Sequence, residues 1–264
     1  MSFAERTAVV TGGASGIGRA LCRALHQRGA NVWVTDVDGD GAERVAKELG
    51  ERAHARVLDV IDAPAVKALV DEVAAVGSLD YLFNNAGYAV IGEIKETTLE
   101  DFDRIFAVNV RGVMNGIAAA YPIMIDRGRG HLVNTASVAG LIPAPGMGVY
   151  SATKHAVVGL SRTLRIEAAR YGVRVSAVCP GFIKTRITEN ATARGVDAVD
   201  ASKSVPFWYS AEDCARDILH GVRRNDGVIV VARHAKSLHR LDRLVPGAVD
   251  WIGRRFIGRI LRAQ

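Results

Sequence analysis

"TAVVTGGASGIGRAL", residues 7–21, decides how this chain folds. Its first residues are apolar or β-branched and read as a strand, and its last ones begin an amphipathic helical period. Between them Gly12, Gly16 and Gly18 form a turn in which backbone can approach a ligand closely. The N–H groups and dipole at the start of the following helix would stabilise an anion, above all a pyrophosphate. The spacing G-x-x-x-G-x-G matches the generic G-x-G-x-x-G dinucleotide fingerprint only loosely. Position strengthens it. The second strand pattern, "VWVTD", ends in Asp36, eighteen residues after Gly18. An acid there accepts hydrogen bonds from an adenosine ribose and repels a 2′-phosphate. No Lys or Arg stands among residues 12–18 or directly after Asp36 to receive such a phosphate. The pattern therefore points to NAD, with NADP the weaker alternative. An Asp36 that only opens the turn "DVDGDG" is the reading without function.

Outward from this turn the same alternation continues. "TAVVTG", "NVWVTD", "ARVLDV", "LDYLFNNAG", "GHLVNTAS", "VRVSAVCPG" and "GVIVV" read as strands. Amphipathic stretches between them begin near Gly16, Gly39, Ala63, Leu99, Val149 and Ala211. Apolar strands without internal alternation, separated by helices, predict a parallel sheet covered on both faces. Right-handed crossovers make it doubly wound. The expected fold is thus a single α/β domain around a seven-stranded Rossmann-type sheet, spanning residues 1–232, with a helical extension over 233–264. A chain of 264 residues with 49% hydrophobic and 23% charged residues has ample material for that core.

The charge is uneven. Of the net +6, residues 223–264 carry ten Lys/Arg against three Asp/Glu, or +7, which leaves the body at −1. No groove-reading or aromatic element accompanies the basic residues, so a nucleic-acid partner is not expected. "VDWIGRRFIGRILRAQ", residues 249–264, drawn as a helix puts Val249, Ile252, Phe256, Ile257, Ile260 and Leu261 on one half. Arg254, Arg255, Arg259 and Arg262 fill the other, with Trp251 among them. Such a helix packs on the protein body or a second subunit, with peripheral contact to an anionic membrane surface as the alternative. Cys22, Cys179 and Cys214 are widely spaced and odd in number, which fits buried thiols in a cytoplasmic protein rather than a disulfide framework. The start of the chain enters a strand pattern at once, so no signal or transit peptide is expected, and the histidines show no metal-ligand spacing.

One pair stands out in "VYSATKHAVVGLSRTL", residues 149–164. Tyr150 and Lys154 share a helix face, with Cβ atoms about 5–6 Å apart. A lysine so placed favours the phenolate and would pull the tyrosine pKa down from about 10. His155 points about 100° away and reads as packing.

"TGGASGIG", then "NNAG", an Asn inside a helix, a Ser and Y-x-x-x-K together resemble the compact form of the short-chain dehydrogenase/reductase family over about residues 5–232. The resemblance implies a Rossmann-type sheet, a nicotinamide cofactor, hydride transfer and a homo-dimer or homo-tetramer. It extends the phosphate loop to Ser15 and Ile17 and assigns adenine contacts to Asp59 and Val60. Asn85, Ala86 and Gly87 would line the adenosine ribose. Pro180 and Gly181 would shape, and Ile183 and Thr185 contact, the segment that grips the nicotinamide amide. Asn109 would hold a water beside Lys154, and Lys154 would also hold the nicotinamide ribose. Tyr150 then donates or removes the substrate proton, and Ser137 offers a second hydrogen bond to the same oxygen. Residues 185–211, ending in the aromatic "FWY" of Phe207, Trp208 and Tyr209, would cover the substrate. Leu141, Ile142, Met147 and Val149 form an apolar wall that suits a lipophilic alcohol or ketone. The expected activity is NAD-dependent oxidation or reduction of such a substrate. The alternatives are an NADP-dependent carbonyl reductase and a catalytically silent NAD-binding regulatory module.

Overall fold

A computed structural model describes residues 2–185, 191–195 and 209–260, the last five by backbone alone. β1 (Thr7–Thr11) leads through the glycine turn into α1 (Gly16–His26), followed by β2 (Asn31–Asp36), α2 (Gly39–Leu49), β3 (Ala53–Val57) and α3 (Ala63–Val76). β4 (Tyr81–Asn84) and the short β5 (Val90–Ile91) precede α4 (Leu99–Phe106) and α5 (Gly112–Asp126). Then come β6 (Gly130–Thr135), α6 (Gly148–Ala168), β7 (Val173–Pro180), the short β8 (Thr192–Ala193), α7 (Ala211–Arg224) and β9 (Val228–Val231). Two helices, α8 (Arg233–Leu244) and α9 (Pro246–Ile260), close the chain.

Seven strands form one parallel sheet in the order β3-β2-β1-β4-β6-β7-β9. The strand period sets its two faces. Ala8 and Val10 pack with α1, α2 and α7, whereas Val9 between them packs with α3, α5 and α6. The chain thus winds both ways from β1, and the carboxyl ends of β1 and β4 diverge at the point where α/β proteins bind ligands. Several helix starts are fixed by their caps. The side chains of Asp38, Asp62, Thr98 and Ser210 accept first-turn N–H groups of α2, α3, α4 and α7.

Two expectations need correction. The third strand occupies residues 53–57 rather than the apolar run from Ala55 to Val60, because β3 is an edge strand. It pairs with β2 alone, so polar residues suffice within it, and Leu58 and Val60 are buried beyond its end. Among the described residues, the expected wall of Leu141, Ile142, Met147 and Val149 divides between two packing clusters. Leu141 and Ile142 pack against Ala235, Leu238, Leu241 and Val249 of the last two helices. Val149 is buried with Val90, Ile91 and Ile105, and Gly92 bridges to Met147. Residue spacing alone could not tell these partners apart. Phe207 and Trp208 lie outside the described residues, as does most of the 185–211 segment.

Candidate active site

Thr11 ends β1 and starts the site. Its hydroxyl accepts the N–H groups of Asn85 and Ala86 at 2.9 and 3.0 Å, and Asn85 Nδ2 donates to the Thr11 carbonyl at 2.9 Å. These bonds clamp the turn after β4 onto the glycine turn. Gly12 and Gly16 adopt left-handed φ of 67° and 51°, which a side chain would strain. A Cβ on Gly18 would lie 1.9 Å from the Gly12 carbonyl, so only glycine lets α1 sit this close to β1. Ser15 stands at the N-cap of α1 without giving it a side-chain bond. The first N–H groups of α1 therefore face the cavity without the cap that Asp38, Asp62, Thr98 and Ser210 supply elsewhere. Asp36 accepts Ala14 N–H at 3.0 Å and Asp38 N–H at 3.1 Å, which holds its carboxylate at the end of β2 beside the loop.

The cavity beyond measures about 690 Å³, within the usual span of cofactor clefts. It is lined by Gly12, Ser15, Gly16, Ile17, Gly18, Asp36, Asp59, Val60, Asn85, Ala86 and Gly87 at one end. Ser137, Tyr150, Lys154, Pro180, Gly181, Ile183 and Thr185 line the other. Of the catalytic and cofactor-binding residues named from the sequence, Asn109 is the one that does not line it. It lies in a π-helical segment, Ala107–Arg111, between α4 and α5. Such widened turns recur at functional sites. Its side chain is fully buried and bonded at both ends: Nδ2 donates to the Tyr88 carbonyl and to Thr153 Oγ1, and Oδ1 accepts Tyr88 N–H. Asn109 thus ties the turn after β4 to α6 one residue before Lys154.

Tyr150 and Lys154 are both buried on α6. Lys154 Nζ donates to the Thr135 carbonyl at 2.9 Å and lies 5.5 Å from the centre of the Tyr150 ring. Ser137 caps the turn after β6 by accepting Ala139 N–H, and it lines the cavity together with Tyr150. The electrostatics correct the sequence expectation. Burial pushes the Tyr150 phenol up to about 12, and the neighbouring Ser137 hydroxyl opposes that rise. Burial also lowers the Lys154 ammonium to about 8. Two groups withdrawn together from water both favour their neutral forms. Tyr150 is therefore held as a phenol, ready to give a proton.

Sequence reasoning missed Tyr88, Arg104, Val108, Thr135 and Thr192, all on the cavity wall. Arg104 lies over the Tyr88 ring at 5.4 Å. Arg104 and Val108 are four apart and share a helix face, a signal that needed Asn109 as its anchor. His155 is exposed and bonds the Ser151 carbonyl on its own helix, so it neither packs nor reaches the site. All three cysteines are buried and free, and burial raises each thiol. Thr192–Ala193 pairs with Val90–Ile91, and Arg194 forks onto Asp101 with two 2.8 Å bonds, so this described piece of the covering segment is stitched to the body.

A family model described as short chain dehydrogenase matches residues 6–195. The chain belongs to the short-chain dehydrogenase family. SadH of Mycobacterium tuberculosis, named as an oxidoreductase, is 39% identical over 256 residues and is covered to 92%, as is this chain. The 2,5-dichloro-2,5-cyclohexadiene-1,4-diol dehydrogenase of Sphingobium indicum is 41% identical over 189 residues, covering 70% of this chain and 76% of that one. The crystal structure of a short-chain dehydrogenase/reductase from Burkholderia phymatum in complex with NAD superimposes with a TM-score of 0.83 at 31% identity. That match covers 92% of this chain and 94% of the other. The short-chain dehydrogenase described here is accordingly an oxidoreductase that works with a nicotinamide cofactor. Its glycine cradle, uncapped α1 and cavity fit such a group.

Proposed function

We propose that this short-chain dehydrogenase uses NAD to interconvert a lipophilic secondary alcohol and its ketone, with Tyr150 as the general acid/base. The observation that carries the reading is that Ser137, Tyr150 and Lys154 are buried together and line one cavity with the glycine turn. In reduction the Tyr150 phenol donates its proton to the carbonyl oxygen as that oxygen gains charge. Ser137 donates a second hydrogen bond to the same oxygen and stabilises it. The nicotinamide, when bound, supplies or accepts the hydride. Lys154, cationic below about 8, adds a positive charge beside the reacting oxygen and a donor for ribose hydroxyls. Asn109 works at one remove, by fixing α6 against Tyr88. Asp36 at the end of β2 supports NAD over NADP through repulsion of a 2′-phosphate.

The lipophilic class draws support from the Sphingobium relative, whose name gives a chlorinated cyclohexadiene diol as its substrate. The experiment is a panel of secondary alcohols and ketones, aliphatic and alicyclic, with NAD and NADP at equal concentrations. Turnover with NAD at least about tenfold above NADP is expected. A preference for NADP overturns the Asp36 argument. NADH binding with no turnover on any substrate overturns the enzyme reading in favour of a silent binding module.

A further inference from the structure

The segment that follows β7 forms one wall of the cavity, and the chain beyond β9 holds it in place. Phe182 N–H donates to His234 Nε2 at 3.0 Å, and the Phe182 ring stacks on the imidazole with centroids 5.6 Å apart and planes 23° apart. On the other side Lys184 N–H donates to the Tyr209 carbonyl at 2.9 Å, and Tyr209 N–H donates to the Phe182 carbonyl at 3.0 Å. Ile183, fixed between these amides, is buried and lines the cavity with Gly181. The fit leaves no slack. A Cβ on Gly181 would fall 2.3 Å from His234 Nε2 and 2.9 Å from Ala235 Cβ. Ala232, immediately before α8, is buried with a left-handed φ of 76°. A strained alanine persists where the surrounding contacts over-determine it, and here the turn it makes brings His234 to Phe182.

We propose that His234 is a positioning residue of the cofactor site: by accepting the Phe182 amide it fixes Gly181–Ile183 against the cavity. The first turn of the C-terminal extension is then part of the machinery that holds the nicotinamide. The proposal rests on the reading that residues 180–185 face that group. The acceptor must be an unprotonated Nε2, so the working imidazole is neutral with its proton on Nδ1. Burial, which lowers the His234 pKa, keeps it in that form. Two substitutions separate the two contacts. His234→Phe keeps a ring on Phe182 and removes the acceptor, whereas His234→Gln keeps an acceptor at a similar reach and removes the ring.

NADH dissociation constants are read by fluorescence titration on the full chain, with melting temperatures alongside. Loss of one hydrogen bond predicts NADH binding about fivefold weaker in His234→Phe. His234→Gln should stay within about twofold of the parent. Should the phenylalanine variant fail to fold, His234→Leu replaces it with the same expectation. Equal affinity in the parent and every variant overturns the proposal, since the contact would not reach the cofactor. Equal weakening in the glutamine and phenylalanine variants overturns it too, because ring packing alone would explain that result. A parent that binds neither NADH nor NADPH overturns the cofactor reading itself, which the variant series distinguishes from failure of His234.

Discussion

The two ends of the cavity are built from different materials. At the adenosine end, apart from the Asp36 carboxylate, the working groups are main-chain: the N–H groups at the start of α1, the left-handed Gly12 and Gly16, and Gly18 pressed on the Gly12 carbonyl. At the catalytic end they are buried side chains, Ser137, Tyr150 and Lys154, and burial has moved the proton affinities of the last two. The difference teaches where each end is vulnerable. Backbone recognition fails when a Cβ is added, and proton transfer fails when a single oxygen is removed.

Removing that oxygen has the largest expected effect. Tyr150→Phe should lower turnover roughly a thousandfold, the usual worth of a positioned acid. The adenosine end is untouched, so the NADH dissociation constant should stay within about twofold. Near-parental turnover would remove Tyr150 as the acid. The mirror experiment is Gly18→Ala. Its methyl would overlap the Gly12 carbonyl, and relief requires α1 to move off β1. Overpacking of this kind costs about 3 kcal/mol, so NADH affinity should fall roughly a hundredfold. An alanine variant that binds NADH like the parent would show that the main-chain geometry at this end is not the source of affinity.

The same division explains what the sequence could disclose. Glycines at 12, 16 and 18 announce a backbone conformation directly, because few other residues can adopt it. Tyr150 and Lys154 announce themselves by helical spacing, since α6 runs from Gly148 through both. The starts of α1, α2, α3, α4 and α7 were legible where glycine turns or cap residues write the boundary into the sequence. Long-range choices were not. Whether Leu141 and Ile142 face a substrate or the C-terminal helices depends on chain about a hundred residues away. Gly181 against His234 is a contact of the same kind, invisible to any local pattern. The π-helical turn at Asn109 also left no mark beyond one amide in an apolar run. The sign of the Tyr150 shift failed for a related reason: spacing gives proximity, and burial is set by the whole fold.

The C-terminal helix offers a third test, on a surface remote from both ends. Val249 is buried among Val138, Ile142 and Ala235, and a Cβ on Gly253 would lie 3.2 Å from Pro145 Cγ. Among the described side chains, Trp251, Arg254 and Arg255 are exposed, with Arg255 over the Trp251 ring at 4.5 Å. Among the described side chains of the apolar half, the burial of Val249 supports packing of the start of this helix on the body. A chain ending at Pro246 loses the burial of Val249 and its neighbours, about 2 kcal/mol, which lowers the melting temperature by roughly 4–8 °C. Neither this chain nor the full one should float with anionic liposomes. Flotation of the full chain alone would restore the membrane reading.

The finest test asks what the catalytic end costs the fold. Lys154 is a buried ammonium whose described bond is to one carbonyl, and burial lowers its pKa from 10.5 to about 8. Below about pH 8 the group is charged in both folded and unfolded chains, and the folded state bears the desolvation of that charge. Lys154→Met keeps the side-chain length and removes the charge, so it should raise stability by about 1–3 kcal/mol at pH 7 while abolishing turnover. The sign of the pH dependence follows from linkage. Between about pH 8 and 10.5 the unfolded chain binds a proton at this lysine and the folded chain does not, so the parent gains stability as pH rises. The advantage of the methionine variant should therefore be full below pH 8 and shrink toward zero by pH 10.5. Urea unfolding of both proteins at pH 7 and pH 10 measures it. An advantage that is absent at pH 7, or that grows with pH, would mean that the ammonium is satisfied where it lies. The contrast between a backbone-built end and a strained, charged end would then be lost.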